Sequence, residues 1–322
     1  MERRTFLGAL AGGVFVAPLA SGAQQVGKMP RIGFLQATRN ENVAAFFEGL
    51  RDAGYIDGQN VIVETRIYGT MLDRLPELAN GLVAQRCDVI FAAGPYAIKA
   101  ATEATRTIAL VGVDLESDPL ANGWARSLNR PGGSLTGLFL DLPEIGGKQV
   151  QLIKEALPGL SRLGVLWDST VGAVQFHATE AAAHAASVRP FSLPIQHLGD
   201  FHGALDLAAR DRVQGVVVLS SPLIFGERTE IASLALSKRL PTISLFALFA
   251  QSGGLMAYGP DLPGMYRRAA AYVDRILRGT KVGDLPIERP SKFEFVVNLK
   301  TAKALGLTIP PTLLLRADEA IQ

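Results

Sequence analysis

The sequence contains little cysteine, little histidine and no excess of charge of either sign. Of its 322 residues one is cysteine and four are histidine, so an internal disulfide is impossible and few residues of these types are available as metal ligands. Lysine and arginine number 32 and aspartate and glutamate 30, which gives a formal net charge of +2. Proteins that bind nucleic acid normally carry a concentrated basic surface, so we expect no nucleic-acid partner.

The sequence motifs of several large enzyme classes are also absent. No His-Glu-x-x-His pair, Gly-x-Ser-x-Gly turn or Gly-x-x-x-x-Gly-Lys-Ser/Thr phosphate loop occurs. His177 and His184 share one predicted helix face, where solvated side chains are the simpler interpretation. Cys87 precedes an apolar run and is predicted to be a buried structural thiol. We therefore expect no catalytic residues, no metal site and no cofactor.

The amino terminus has the layout of an export signal. Residues 1–7 include adjacent arginines, residues 8–19 are apolar, and Ser21-Gly22-Ala23 supplies small residues for cleavage. This apolar run is too short to span a bilayer. The two arginines favour a twin-arginine export signal, and the alternative is an ordinary secretory signal. We predict cleavage after residue 23, a periplasmic location, and a mature chain that does not span the membrane.

Beyond the signal, strand-like runs alternate with amphipathic helical stretches. Such alternation predicts βαβ units and parallel sheets that are covered by helices on both faces. The predicted strands of the first half are 31–35, 61–68, 88–93 and 108–113, and those of the second half are 163–167, 191–198, 215–219 and 242–246. Pro194 indicates that strand 191–198 is not central in its sheet.

The two halves repeat one architecture at a near-constant offset. Gly33 and Gly164 lie 131 positions apart, whereas Asp88 and Gly215 are separated by 127. We predict an α/β fold of two doubly wound parallel-sheet lobes that are joined by a hinge. The predicted boundaries are 29–141 plus 254–282 for lobe 1 and 142–253 plus 283–322 for lobe 2.

Several stretches resemble a known family when they are taken together. They are FEGLRDAGY at 47–55, DGQNV at 57–61, SLNRPGG at 127–133, GGLMAYG at 253–259 and NLKTAKALGLTIPP at 298–311. In this order they resemble the periplasmic substrate-binding components of ABC transporters, in particular the branch that includes tryptophan- and aromatic-amino-acid-binding lipoproteins. The resemblance covers nearly the whole predicted mature chain.

The resemblance implies a fold and a mode of action. It implies the type I periplasmic-binding fold, a hinge of three segments, capture of a small-molecule solute by closure of the lobes, and an ABC transporter permease as partner. The lipid-attachment cysteine of the lipoproteins is absent, which implies a freely diffusing protein. We expect this protein to be a monomer.

Candidate ligand-binding residues follow the predicted strands, because open α/β sheets bind ligands beyond the carboxyl ends of their strands. Matched helix starts at Pro95 and Pro222 offer free N–H groups to a ligand carboxylate, and the alternative is helix capping without a ligand. A carboxylate after the fourth strand is suited to an α-ammonium group. The candidates are Gln36, Thr38, Gly94, Pro95, Tyr96, Asp114, Glu116, Ser117, Asp168, Ser169, Ser220, Ser221, Phe246 and Tyr258.

Three functions are compatible with these features. The first is an extracytoplasmic receptor of an ABC importer that binds a small polar or aromatic solute, possibly an amino acid, in the cleft between the lobes. The second is a ligand-sensing periplasmic module that acts on a signalling partner. The third, a secreted α/β enzyme, is opposed by the missing motifs described above.

Overall fold

The structure, a computed structural model, describes residues 29–322, so the predicted export signal lies outside the described residues. The first part of the chain alternates strands and helices as the sequence predicts. In chain order its elements are β1 (Arg31–Gln36), α1 (Glu41–Asp52), β2 (Ile62–Ile67), α2 (Leu75–Ala84), β3 (Val89–Ala93), α3 (Pro95–Ala104), β4 (Ala109–Asp114) and β5 (Leu135–Phe139).

The second part of the chain repeats this alternation. In order its elements are α4 (Leu142–Ala156), β6 (Arg162–Asp168), α5 (Val174–Ala185), β7 (Arg189–Ile195), α6 (Asp200–Arg210), β8 (Gly215–Val218), α7 (Pro222–Gly226), α8 (Arg228–Ser237), β9 (Thr242–Ser244), α9 (Ala247–Gln251) and β10 (Met256–Pro260). The closing segment contains α10 (Leu262–Leu277), β11 (Ile287–Glu288), β12 (Phe293–Asn298), α11 (Leu299–Leu305), α12 (Pro311–Leu314) and β13 (Glu319–Ile321).

The strands form two sheets, one in each lobe. The sheet of lobe 1 has six strands in the order β11-β5-β4-β3-β1-β2, all paired in parallel. The sheet of lobe 2 has seven strands in the order β13-β12-β10-β9-β8-β6-β7, and only the β10–β12 pair is antiparallel. The predicted α/β class with two parallel-sheet lobes is therefore confirmed. Strand β7 contains Pro194 and lies at a sheet edge, as its proline predicts.

The predicted allocation of the closing segment differs from the strand pairing at two places. Residues 254–282 were expected in lobe 1, but β10 pairs with β9 and β12 and so belongs to the sheet of lobe 2. Residues 283–322 were expected in lobe 2, but β11 pairs with β5 of lobe 1. The chain consequently passes between the two sheets three times, after β5, after β10 and after β11.

Helix α10 returns to lobe 1 and completes its core. It packs on α1 so closely that a Cβ at Gly49 would lie 2.9 Å from the Cβ of Ala270. Under α1, Phe34 and Phe46 pack with Phe91, with ring centroids 4.4–5.3 Å apart. Burial of such large apolar rings is the main stabilising contribution in a core of this type.

Short polar caps fix where the helices of this region begin. The Asn40 side chain accepts a hydrogen bond from the N–H of Val43, and Asp261 accepts one from Gly264. These caps start α1 and α10 next to the carboxyl ends of the lobe 1 strands, so the first turn of each helix faces lobe 2. Among residues 29–322, no helix combines the length and the apolar character that a membrane span requires.

Candidate functional site

A cavity of about 110 Å³ lies where the carboxyl ends of the strands of both lobes meet. Lobe 1 lines it with residues that follow β1, β2, β3 and β4, and with the first turns of α1 and α10. Lobe 2 contributes Ser221, Pro222, Phe225 and Phe246. A larger groove of about 610 Å³, between the end of α3 and residues 122–135, is lined by lobe 1 alone. Only the smaller cavity brings the two lobes together around the predicted residues.

Asp114 and Glu116 form a buried pair of carboxyl groups at the end of β4. Asp114 is 0% exposed and Glu116 is 7% exposed. The N–H of Glu116 donates to Oδ1 of Asp114 at 2.9 Å, whereas Oδ2 of Asp114 is buried without a hydrogen-bond partner. Burial, and secondly the negative charge of Asp114, raise the pKa of Glu116 well above its usual range. The pair is therefore suited to a cationic group.

Two side-chain hydrogen bonds cross from one lobe to the other beside this pair. The hydroxyl of Ser220, in lobe 2, donates to Oε1 of Glu116, in lobe 1. The hydroxyls of Tyr96, in α3, and Thr170, in lobe 2, are 2.5 Å apart. Both bonds bring the two lobes into direct contact beside the cavity.

Asp168 is the last residue of β6 in lobe 2, and Ser169 follows it. Oδ1 of Asp168 accepts hydrogen bonds from the backbone N–H and the hydroxyl of Thr170, at 2.9 and 2.5 Å. Its other oxygen, Oδ2, is buried without a partner. The hydroxyl of Ser169 donates to the backbone oxygen of Ile195 at 3.3 Å. Neither residue lines the cavity, and neither do Thr170 and Tyr96, through which Asp168 is linked to lobe 1.

The two matched helix starts have different surroundings. Helix α3 begins at Pro95, after Gly94 at φ 84°, a backbone conformation that favours glycine. Helix α7 begins at Pro222, where the Ser221 hydroxyl accepts a hydrogen bond from the N–H of Ile224 at 3.1 Å. The capping alternative therefore accounts for Ser221. Gly94 and Ser221 line the cavity, whereas Pro95 does not.

Gln36 and Thr38 lie together at the mouth of the cavity. The Gln36 amide Nε2 donates to the backbone oxygen of Thr38 at 2.8 Å, and its Oε1 is buried without a partner. Gln36 is 4% exposed, whereas Thr38 is exposed, and both line the cavity. Gln36 thus presents an unused acceptor in a cavity that Glu116 also lines.

The predicted aromatic residues separate into two groups. Phe246 lines the cavity and packs edge-on against Phe225, with ring centroids 4.8 Å apart. Tyr258 instead stacks on Phe293 at 5.6 Å, in the sheet of lobe 2, and is not among the residues that line the cavity. Ser117 is buried behind the acidic pair and does not line the cavity either. The geometry thus favours Phe246 over Tyr258 as an aromatic wall.

Several lining residues were missed by the sequence analysis. Tyr68 follows β2, so the strand-end rule that selected the other candidates would have found it. Asn42 lies in the first turn of α1 and Tyr266 in the second turn of α10, and no local signal indicates that these turns face the cleft. Phe225 belongs to the short α7. Burial, and secondly the charge of Glu116, raise the pKa of Tyr68 and of Tyr266, so both phenols are neutral near pH 7.

Comparison with known proteins agrees with this architecture. The family model described as "ABC transporter substrate binding protein" matches residues 36–321. The chain belongs to this family. It is a family of substrate-binding proteins rather than enzymes, and the expectations of a small-molecule ligand and a transporter partner follow from membership.

Individual relatives are distant in sequence but alike in fold. A tyrosine-binding protein of Clostridioides difficile (strain R20291) is 23% identical over 87% of this chain and 82% of its own length. The ABC domain from Streptococcus pneumonia in complex with L-Trp is 22% identical, covers 91% of this chain and 100% of its own, and has a TM-score of 0.83. A ligand-free, open substrate-binding protein from Clostridium difficile is 20% identical over 91% of this chain and 99% of its own, with a TM-score of 0.67.

Metal binding finds no support in the same region. Within residues 29–322, no three histidine, cysteine or acidic side chains are grouped so that they would hold a metal ion. The single thiol, Cys87, is buried, and burial raises its pKa to about 11. A thiol with this pKa is almost fully protonated at neutral pH and is a poor metal ligand.

Proposed function

We propose that this protein is the periplasmic receptor of an ABC importer and that it binds an amino acid in the cavity between its lobes. The observation that carries the proposal is the buried Asp114–Glu116 pair: Glu116 lines this cavity, and Asp114, which does not line it, has one carboxylate oxygen without a hydrogen-bond partner. Among residues 29–322, no lysine or arginine forms an ion pair with either carboxyl group. A ligand ammonium group would supply the missing positive charge through charge-assisted hydrogen bonds.

The other parts of the cavity fit the carboxylate and the side chain of an amino acid. None of the described residues that line the cavity is a lysine or arginine, so a ligand carboxylate would be held by the backbone N–H groups at the starts of α1 and α3. Phe225, Phe246 and Leu262 offer apolar surface to a side chain. An aromatic amino acid has the ammonium group, the carboxylate and the apolar side chain that these parts of the cavity would bind. The names of the relatives that bind tyrosine and L-Trp support this choice.

We further propose that binding acts through closure of the lobes. A ligand held by Glu116 on one side and packed against Phe246 on the other touches both lobes and therefore favours the closed arrangement. A permease or a sensor protein would distinguish the closed form from the open one. Loss of uptake of the ligand on deletion of the gene supports import, whereas unchanged uptake with capture of a sensor protein supports the signalling alternative.

Calorimetric titration of the chain from residue 24 onward tests the ligand proposal. L-Tryptophan and L-tyrosine are titrated beside their deaminated analogues, indole-3-propionate and 3-(4-hydroxyphenyl)propionate. We expect a micromolar Kd for at least one amino acid, about −8 kcal/mol. Its deaminated analogue should bind roughly 10- to 100-fold more weakly, because a hydrogen bond to a charged group contributes about 1.5–3 kcal/mol.

A pair of matched variants locates the ammonium group. Asp114→Asn should weaken binding of the amino acid roughly 10- to 100-fold and leave binding of the deaminated analogue unchanged. Asp73→Asn replaces an exposed aspartate outside the cavity and should alter neither Kd. Equal binding of the amino acid and its analogue would contradict the ammonium assignment, and no binding of any amino acid would contradict the proposed function.

A further inference from the structure

The two carboxyl groups of the site are so close together that they would repel each other if both were ionised. Asp114 and Glu116 are two residues apart, both are more than nine-tenths buried, and their side chains lie within hydrogen-bonding reach of each other. Two ionised carboxylates in such a position repel each other strongly, because little solvent screens them. The pair therefore requires a positive charge or a proton.

Buried polar atoms without a hydrogen-bond partner occur in and next to the cavity. Oδ2 of Asp114 is fully buried and has no partner. Gln36 and Tyr68 both line the cavity, and each presents a buried oxygen, Oε1 and the phenol OH, without a partner. Oδ2 of Asp114 and Oε1 of Gln36 are therefore acceptors without a donor, whereas the neutral phenol of Tyr68 is a donor without an acceptor.

Resting on the proposed function, we propose that the Asp114–Glu116 pair holds one proton in the closed form without ligand and that the ligand's ammonium group replaces this proton. Binding then releases the proton to the buffer. The ammonium group donates to the same carboxyl oxygens that shared the proton, so the net charge at the pair is the same before and after the exchange.

The other groups that face Glu116 do not balance its charge. Asp114 lies on the same strand end, Tyr68 follows β2, Tyr96 belongs to α3, and Tyr266 belongs to α10. From lobe 2, Ser220 donates a hydrogen bond to it. Burial raises the pKa of each of these three tyrosines, so they are neutral between pH 5 and 8. None of the facing groups is a cation.

The proposal predicts the direction in which the affinity for the ligand changes with pH. The pKa of Glu116 is raised while the pair is unliganded, and an adjacent ammonium group lowers it. Protons and ligand therefore compete for the pair, and the affinity falls as the pH falls. Below the pKa of the unliganded pair, Kd should rise about tenfold for each pH unit.

The experiment is calorimetric titration of the amino acid that binds, at pH 5.0 to 7.5, in buffers of low and high ionisation enthalpy. The ammonium and carboxylate groups of a free aliphatic or aromatic amino acid do not titrate in this range, so a change in Kd reports on the protein. We expect the heat to depend on the buffer with the sign of proton release, up to one proton per ligand, and Kd to rise towards pH 5.

Two variants test whether the proton that is released on binding comes from the Asp114–Glu116 pair. Glu116→Gln should bind with a Kd that is independent of pH and release no proton, whereas Glu103→Gln, an exposed acid of α3 outside the cavity, should behave as the unaltered protein. The proton count of the unaltered protein tests the proposal even if Glu116→Gln does not fold.

The outcomes separate this proposal from the proposed function. Binding with a flat Kd and no proton release overturns the proton exchange and leaves amino-acid binding intact. Proton release that persists in folded Glu116→Gln overturns the assignment to this pair. Failure of every amino acid to bind at any pH removes the proposed function and the proton exchange with it.

Discussion

Residues at the carboxyl ends of the parallel strands form much of the wall of the cavity. Gln36, Gly94, Glu116, Ser221 and Phe246 all line the cavity, as the position of parallel strands leads one to expect. Tyr258 shows the limit of this reasoning. It lies in the middle of β10, and its ring faces Phe293 rather than the cleft, because its strand pairs with the antiparallel β12. The direction of a side chain in a strand depends on register, which the sequence alone did not determine.

Phe246 and Tyr258 provide a matched test of this distinction. We expect Phe246→Ala to raise the Kd of the ligand about tenfold or more, since a buried apolar wall contributes about 1.5–3 kcal/mol. Tyr258→Ala removes a similar ring from the core of lobe 2 and should lower the thermal midpoint while leaving Kd within about twofold. Calorimetric titration and thermal denaturation of both variants measure the two effects. Equal losses of affinity would show that the cavity does not distinguish the two rings.

Among the secondary structure elements, those with a local signal were predicted well. The alternation of apolar runs and amphipathic stretches located β1 to β4 and β6 to β9, and proline marked the starts of α3 and α7. Strand β5 was missed, since its Thr136-Gly137 centre follows a turn-rich stretch that resembles a loop. Strands β10 and β11 were assigned to the wrong lobes, because their pairing partners are distant in sequence.

Strand β5 depends on a glycine that the sequence analysis did not single out. Gly137 lies opposite Gly112 of β4 at φ 137°, and a Cβ at Gly137 would lie 1.9 Å from the backbone oxygen of Gly112. We expect Gly137→Ala to lower the free energy of unfolding by more than about 2 kcal/mol. Gly81→Ala is the control, because a Cβ there meets nothing within 4 Å, and a helical alanine should stabilise by about 0.5–1 kcal/mol.

Chemical denaturation followed by circular dichroism measures both glycine variants. If Gly137→Ala were as stable as the unaltered protein, β4 and β5 would not approach each other as closely as described. A destabilised Gly81→Ala would instead indicate that α2 is packed more tightly than its surroundings suggest.

In the molecule as a whole, repetition along the chain predicted two lobes, but only long-range pairing reveals how they are joined. The chain crosses between the sheets near residues 140, 261 and 290. Helix α10, in the closing segment of the chain, contributes Tyr266 to the cavity between the lobes. Two interlobe hydrogen bonds, Tyr96 to Thr170 and Ser220 to Glu116, hold the closed arrangement. A few such bonds contribute little net free energy, about 0.5–1.5 kcal/mol each, so a bridging ligand would control the equilibrium.

Small-angle X-ray scattering of the same sample without and with saturating amino acid decides whether the cavity captures its ligand by closure. Without ligand, we expect a radius of gyration larger than that calculated from the structure, because no ligand then bridges the two lobes. With ligand, the radius should decrease and the scattering curve should match the closed structure. A curve that does not change although calorimetry shows the ligand bound would contradict capture between the two lobes.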